Sequence, residues 1–340
     1  MKEIINILIA QKDLNITQSE QLFSKVMQGE LSEIELTAAL IALKIKGETA
    51  SEIAGAAAAM RKHAVPFNTS LDMTADSCGT GGDGSNTINV STTAAIVAAA
   101  CGINMVKHGN KSVSSNSGSA DLLVALGINI NMPVTLAQNC LEQTGFTFMF
   151  APNYHKGVKH AMPVRTTLKT RTLFNILGPL ANPAAPKVQL LGVYDPDLCM
   201  PMAQTLNILG TQRALVVHGS GTDEIALHGS TKVVELNNGE ITESTLTPSD
   251  FGLDEYPLEA IAGEGPEYNA QATLAILKGE GKAAHNAAII VNVAALLYLT
   301  NKADNFKQAA RIVTDKLASG TVIKTLDKIV TLSNSEVDNG

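Results

Sequence analysis

"CGTGGDGSNTINVST", residues 78–92, places four glycines, one aspartate and a run of hydroxyl and amide side chains in fifteen positions. The preceding "ADSC" reads as the end of a strand, and the following "VSTTAAIVAAACG" as a helix closed by Gly102. A strand, a turn poor in side chains and a helix N-terminus in succession bring backbone N–H groups and the positive end of a helix to one point. That arrangement suits an anion such as a phosphate, because glycine lets the backbone approach its oxygens. The spacing is neither GxxxxGKS/T nor GxGxxG, so neither nucleotide fingerprint applies, and a plain surface turn is the alternative reading.

The same strand-then-helix texture runs on both sides of this stretch. "INMVKHG", "FTFMFAP", "KVQLLGVYD", "RALVVHGSG" and "TKVVELNNG" read as strands. Between them lie helical runs such as "MPVTLAQNCLEQTG", opening at Pro133 and closing at Gly145. Alternation of this kind predicts a largely parallel sheet flanked by helices. Residues 1–66 read differently, as helices with capping boxes at Thr17/Glu20, Ser32/Glu35 and Thr49/Glu52 and left-handed closures at Gly29 and Gly47. "ASEIAGAAAAMRKHA" is small enough for close helix contact. The expected fold is α/β: a small all-α N-terminal domain, 1–66, plus a large α/β domain, 71–340, with a mostly parallel central sheet. "VRTTLKTRTLFNILGPLANP" reads as helical with a break at Gly178 and Pro179, and residues from about 163–183 are expected to rejoin the helical domain across a hinge. From about residue 267 helices dominate again.

Three further stretches carry chemistry. "VKHGNKSVSSNSGSAD", residues 106–121, again follows a strand and precedes a helix. Lys107 offers a point charge there, and Ser114, Ser115, Ser117 and Ser119 offer hydroxyls without bulk. In "HGSGTDEIALHG" the adjacent carboxylates Asp223 and Glu224 sit in a loop beyond a strand, where they are either solvated surface or ligands of a magnesium ion that bridges to phosphate oxygens. His218 and His228 flank them without zinc-like spacing. Arg165 lies among small and apolar neighbours, where a guanidinium could clamp a carboxylate bidentately. Arg171 follows on the same stretch, and the sequence leaves open which of the two points inward.

Composition narrows the class. The chain has 340 residues, 45% hydrophobic and 17% charged, with a net charge of -7, which argues against a broad nucleic-acid surface. No apolar run is long enough for a membrane span, the first residues lack an export pattern, and the four cysteines are widely spaced without a CxxC pair. A cytoplasmic protein with reduced thiols is expected.

Taken in order and spacing, "CGTGGD", "NVST", "VKHGN...VSSNSGSAD", "NILGPLANP" and "GTDE" closely resemble the anthranilate phosphoribosyltransferases of tryptophan biosynthesis, over almost the whole chain. The resemblance implies transfer of the phosphoribosyl group of phosphoribosyl pyrophosphate to anthranilate with Mg2+, two ions per subunit, in a homodimer formed through the helical domain. It implies a phosphoribosyl pyrophosphate site from Gly79, Gly82, Asp83, Thr87, Asn89, Val90, Ser91, Thr92, Lys107, His108, Gly109, Asn110, Lys111, Ser112, Val113, Ser114, Ser115 and Ser119. By the same resemblance Gly79, Asn110 and Arg165 contact anthranilate, and Ser91, Asp223 and Glu224 hold the metal. Lys111 and Asn116 depart from the Arg and Lys common among such proteins, and the missing cation at 116 bears on substrate binding.

No catalytic nucleophile is expected, since pyrophosphate leaves readily once its charge is neutralised. His108 is a candidate acceptor for the amine proton, against the alternative of a bystander. Two other functions share the expected fold. A pyrimidine nucleoside phosphorylase is disfavoured by the "KHGN" and "GTDE" loops, and a nucleic-acid-binding relative by the acidic charge and the retained Asp223 and Glu224.

Overall fold

In the computed structural model, which describes residues 1–112 and 116–335, α1 (Lys2–Ile9), α2 (Ile16–Gln28), α3 (Glu33–Lys46) and α4 (Ala50–Lys62) form a helical layer. Capping starts α3 and α4 as the sequence predicts: Glu35 N–H donates to Ser32 Oγ at 3.3 Å and Glu52 N–H to Thr49 Oγ1 at 3.3 Å, each answered by the glutamate carboxylate. The box expected at Thr17/Glu20 is not formed. Asn15 and Gln18 cap α2 instead, because Asn15 is an equally good cap two residues earlier; Glu20, freed, pairs with Lys62 of α4 at 2.9 Å. Gly29 closes α2 in the left-handed helical conformation, whereas Gly47, at φ 86° and ψ 124°, leaves α3 with positive φ but outside that well. Gly55 explains the close approach of α2 to α4, since a Cβ there would lie 2.5 Å from the Ile16 carbonyl oxygen.

From β1 (Ala75–Gly79) onward the chain alternates: α5 (Val90–Ala100), β2 (Met105–Gly109), α6 (Ser119–Ala125), α7 (Val134–Thr144), β3 (Phe146–Phe150), α8 (Ala151–Tyr154), α9 (Met162–Leu168), α10 (Phe174–Leu177), β4 (Val188–Gly192), α11 (Cys199–Ile208), β5 (Arg213–Gly219), β6 (Thr231–Asn237) and β7 (Glu240–Leu246). Then follow α12 (Pro266–Leu277), α13 (Ala283–Leu299), α14 (Phe306–Ala318) and α15 (Ile323–Ser333). The sheet runs β3-β2-β1-β4-β5-β6-β7, parallel as far as β5 and antiparallel beyond it. β7, which the sequence reading did not anticipate, returns from β6 through Asn238 (φ 49°) and Gly239 (φ 94°) and is largely exposed.

The order places a switch point between β1 and β4, where the chain, having built outward through β2 and β3, returns to build the other way. In open α/β sheets a crevice opens at the carboxyl ends of the strands there. Alternation along the strands divides the core between the two faces. Val188, Leu190, Leu215 and Val217 pack with α5 and α13, while Leu191, Val193, Ala214 and Val216 pack with Leu22, Phe23, Leu40 and Leu43 of the helical layer. Val164, Phe174 and Leu177 share that second core. The helical reading of 164–183 gains a second break: Lys169 ends α9 in the left-handed conformation at φ 47°, and α10 then stops at Leu177, just before the Gly178 and Pro179 expected to interrupt it.

Candidate active site

The Asp223–Glu224 loop lies across the carboxyl ends of three strands, and three glycines make room for it. A Cβ on Gly79, at the end of β1, would stand 2.1 Å from Asp223 Oδ2; on Gly192, at the end of β4, 1.6 Å from the Asp223 carbonyl oxygen; on Gly219, at the end of β5, 2.3 Å from the Glu224 carbonyl oxygen. His218 steadies the loop, with Nδ1 2.8 Å from the Val193 carbonyl and Nε2 accepting from Gly221 N–H. The two acids thus stand over the β1/β4 crevice.

The glycine-rich loop meets them. Gly81 N–H donates to Asp223 Oδ2 at 2.6 Å, and Asp223 N–H donates to Asp83 Oδ2 at 3.3 Å, while Asp83 also takes both the N–H and hydroxyl of Ser85. Thr80 N–H donates to the Gly192 carbonyl at 2.9 Å, and Thr87 and Ile88 pair with Ala262 and Ile261. From the other side Arg171 donates to the Gly82 carbonyl and stacks over the Tyr194 ring at 3.9 Å. Of the two arginines on that stretch, Arg171 reaches the loop. Arg165 is half-buried over the Phe174 ring at 5.2 Å, with Nη1 4.0 Å from Met162 Sδ, and neither contact is to Gly79 or Asn110.

Lys107 is buried in β2 and points to the same end of the sheet, donating to the Ser77 carbonyl at 2.6 Å and to Ser91 Oγ at 3.4 Å. The Glu224 carboxyl lies close to the Ser91 backbone N–H in the first turn of α5, so a carboxylate stands where the sequence reading placed a phosphate. Val90 and Thr92 are buried beside it. Burial, reinforced by Asp83, pushes the Asp223 carboxyl up to about 7; burial, reinforced by Asp223 and opposed by Lys107, raises Glu224 strongly. Three acids near one lysine make this an electron-rich corner that a cation would relieve. Among the described residues no three His, Cys, Asp or Glu side chains form a ready protein cage. Magnesium does not need one, because it commonly takes one or two carboxylates and fills its shell with water and phosphate oxygens, so Asp223, Glu224 and the Ser91 hydroxyl fit that ion.

The second loop is closed by its own neighbours. Asp121 Oδ2 accepts from Ser112 N–H at 2.9 Å and Gly118 N–H at 3.0 Å, and the Asn110 carbonyl accepts from Ala120 N–H and Ser119 Oγ, both at 3.1 Å. The Asn110 side chain folds onto Lys111 N–H at 2.8 Å, and Lys111 is exposed. Gly109 has no room for a Cβ, which would meet Ser119 Oγ at 2.2 Å. Val113, Ser114 and Ser115 lie outside the described residues. His108 faces the opposite side of β2: Nδ1 is 3.2 Å from the Gly178 carbonyl and the ring sits edge-on to His155 at 5.0 Å. Facing a carbonyl, Nδ1 carries the proton, and burial together with the His155 charge takes His108 down to about 3. Sequence reasoning named Arg171 only as the alternative to Arg165 and missed Asp121, Gly192 and the 261–269 segment; of those missed, only Asp121 carried a signal, as the acid three residues after Gly118.

The chain matches the glycosyl transferase family twice: its helical bundle domain over residues 2–64 and its a/b domain over residues 71–323. Anthranilate phosphoribosyltransferase of Pseudoalteromonas translucida is 69% identical over 96% of this chain and 92% of its own, and that of Colwellia psychrerythraea is 56% identical over 99% and 93%. Among solved structures, anthranilate phosphoribosyltransferase from Thermus thermophilus superposes with a TM-score of 0.93 at 39% identity, covering 98% of this chain and 99% of its own. The Saccharomyces cerevisiae enzyme, in complex with PRPP and Mg, does so at 0.88 and 29% identity, covering 98% of each chain. With both domains matched in order and relatives of this identity aligned along nearly its whole length, the chain belongs to the anthranilate phosphoribosyltransferase family.

Proposed function

We propose that this chain transfers the phosphoribosyl group of phosphoribosyl pyrophosphate to the amine of anthranilate, giving N-(5-phosphoribosyl)anthranilate and pyrophosphate in tryptophan biosynthesis. The observation that carries the reading is the meeting of the glycine loop with the Asp223–Glu224 loop over the β1/β4 crevice, with buried Lys107 beside them. The substrate and ion of the yeast relative are those proposed here.

In this reading the backbone of residues 79–92 and the second loop hold the phosphates, and Lys107 supplies a fixed positive charge. Magnesium, two ions per subunit held by Asp223, Glu224 and the Ser91 hydroxyl, would neutralise the charge that builds on the leaving pyrophosphate. The protein's own part is positioning: the sugar carbon is left open to the amine from the face opposite pyrophosphate, through an oxocarbenium-like transition state, and no side-chain nucleophile takes part. Arg165 clamps the anthranilate carboxylate, with Gly79 and Asn110 alongside. At about 3, His108 is too weak a base for the amine proton at neutral pH, which favours a bystander role.

The helical layer 1–66, together with 163–183, acts in this proposal as one body hinged on the α/β domain 71–340. Ile9, Ile34 and Ile45 are 63%, 82% and 71% exposed on that layer, which supports a homodimer formed through it. No helix among the described residues is long and apolar enough to cross a membrane, and the four cysteines are free thiols, which suits the cytoplasm.

Purified protein mixed with anthranilate, phosphoribosyl pyrophosphate and magnesium should consume anthranilate, followed by the loss of its fluorescence; folded protein without turnover refutes the assignment. Arg165→Ala should raise the KM for anthranilate about tenfold or more while moving that for the other substrate little, as loss of a charge-assisted bond predicts. Unchanged anthranilate kinetics would remove the clamp.

A further inference from the structure

Asn269, in the first turn of α12, is 1% exposed and uses both ends of its amide. Its Oδ1 accepts from Glu264 N–H at 3.1 Å and its Nδ2 donates to Asn89 Oδ1 at 2.9 Å. Asn89 stands at the N-cap of α5, where an asparagine side chain ordinarily accepts from the first-turn N–H groups. Here it caps nothing. Its Nδ2 donates to the Ser117 carbonyl at 3.0 Å, and its Oδ1 accepts from Ser117 Oγ at 3.0 Å as well as from Asn269. The orientation of every amide is set by its partners: Asn89 cannot turn over without facing its oxygen to the Ser117 carbonyl. Nor can Asn269 turn without facing its NH2 to the Glu264 N–H. The approach to α12 is tied to the glycine loop as well, through Gly263 N–H donating to the Asn86 carbonyl at 2.8 Å and Ile88 N–H to the Ile261 carbonyl at 3.0 Å.

We propose that Asn269 is a positioning residue for phosphoribosyl pyrophosphate, acting through Asn89 to hold the first loop and the second, at Ser117, at one separation. The inference rests on the reading of these loops as the site of that substrate. Two loops that must both grip one polyphosphate lose affinity in proportion to the time they spend apart, so releasing the link taxes binding while leaving the chemistry of the bound complex alone.

The experiment uses the full-length enzyme with Asn269→Ala, Asn269→Asp and Ser117→Ala, measuring both KM values, kcat and the thermal midpoint. Asn269→Asp is nearly isosteric and keeps the bond to Glu264 N–H, but sets an oxygen against Asn89 Oδ1. Expected for both Asn269 variants is a KM for phosphoribosyl pyrophosphate about tenfold higher, as when the competent arrangement falls to one part in ten, with kcat and the anthranilate KM within about twofold. The double variant Asn269→Ala with Ser117→Ala should cost less than the sum of the two single ones, because both act on one junction at Asn89 Oδ1, while the bond to the Ser117 carbonyl remains in each. A merely structural role would lower the active fraction, hence apparent kcat, without moving KM. That result, or additive effects in the double variant, overturns the proposal. Should Asn269→Ala not fold, Asn269→Asp and Ser117→Ala carry the same test. Wild-type enzyme that turns over beside variants with unchanged KM refutes this inference alone, whereas wild-type enzyme without turnover refutes the functional reading beneath it.

Discussion

The glycine loop and the second loop leave neighbouring parallel strands, yet they are held in opposite ways. Among its described residues the second loop is held largely from within: Asp121 gathers Ser112 and Gly118, and Asn110 gathers Ser119 and Ala120, all inside twelve positions of sequence, while Ser117 reaches out to Asn89. The first is shaped from outside, by Asp223 on Gly81, Arg171 on Gly82, Gly192 on Thr80 and Ala262 on Thr87, partners 142 and 89 residues away in the first two cases. A loop that closes on itself can be preformed by local sequence. One that takes its main supports from distant residues gets its shape only when the sheet is complete, and it is the one that meets Asp223.

The comparison can be broken at its strongest point. Gly192→Ala puts a Cβ into the backbone of the acid loop, not against a movable side chain, so a loss of more than about 3 kcal/mol of stability and turnover reduced at least about a hundredfold are expected. Thermal unfolding and steady-state rates check this; a near-normal variant would mean that the acid loop does not rest on β4. Next, Asp223→Asn with Glu224→Gln leaves the packing but removes the charge, and should cost about a hundredfold in kcat and blunt the response to magnesium. If the magnesium titration of the double variant matches the wild type, the metal role fails.

Asp121→Ala tests the self-closed loop. It strands two N–H groups, worth about 1–3 kcal/mol, and should raise the KM for phosphoribosyl pyrophosphate about fivefold to tenfold while leaving the first loop, and hence the magnesium response, intact. A changed magnesium response would show that the Asn89–Ser117 bonds carry the disturbance from the second loop into the first.

The smallest effect is on pH. Asp223 titrates at about 7 in the folded chain but near 3.9 when unfolded, so between these values the folded state binds more protons. For the protein freed of substrate and divalent cation, the share of stability contributed by Asp223 should therefore fall as pH rises from about 4 to 7, against the opposite trend of His108 and His155, whose burial holds them below the usual imidazole value, and Asp223→Asn should remove that share. Melting curves of the wild type and Asp223→Asn at pH 5 and pH 8 decide it; a difference between the two proteins that does not change with pH would contradict the burial of that carboxyl.

Much of this was legible beforehand, and the exceptions have causes. Ser32 and Thr49 announce their helices because a cap bonds only three residues away; the expected box at Thr17 failed because Asn15 offered the same local bond earlier. β7 was missed because an exposed edge strand such as "EITESTL" has no buried face to impose alternation, although Asn238-Gly239 before it is a hairpin signal. The paired acids and Lys107 could be named from residue type. Gly192 and Asn269 could not, because nothing within their own stretches marks them, and Arg171 could be named only as one of two arginines.

Local sequence, through capping, periodicity and turn chemistry, was enough for the helical layer, the alternation of strands and helices, and the two loops with their family resemblance. Those features depend on contacts a few residues long. Which arginine reaches the glycine loop, which glycines admit the acid loop and how the two loops are tied through Asn269 were decided only when distant strands came side by side at the switch point. There steric exclusion and buried hydrogen bonds act between residues that the sequence keeps far apart.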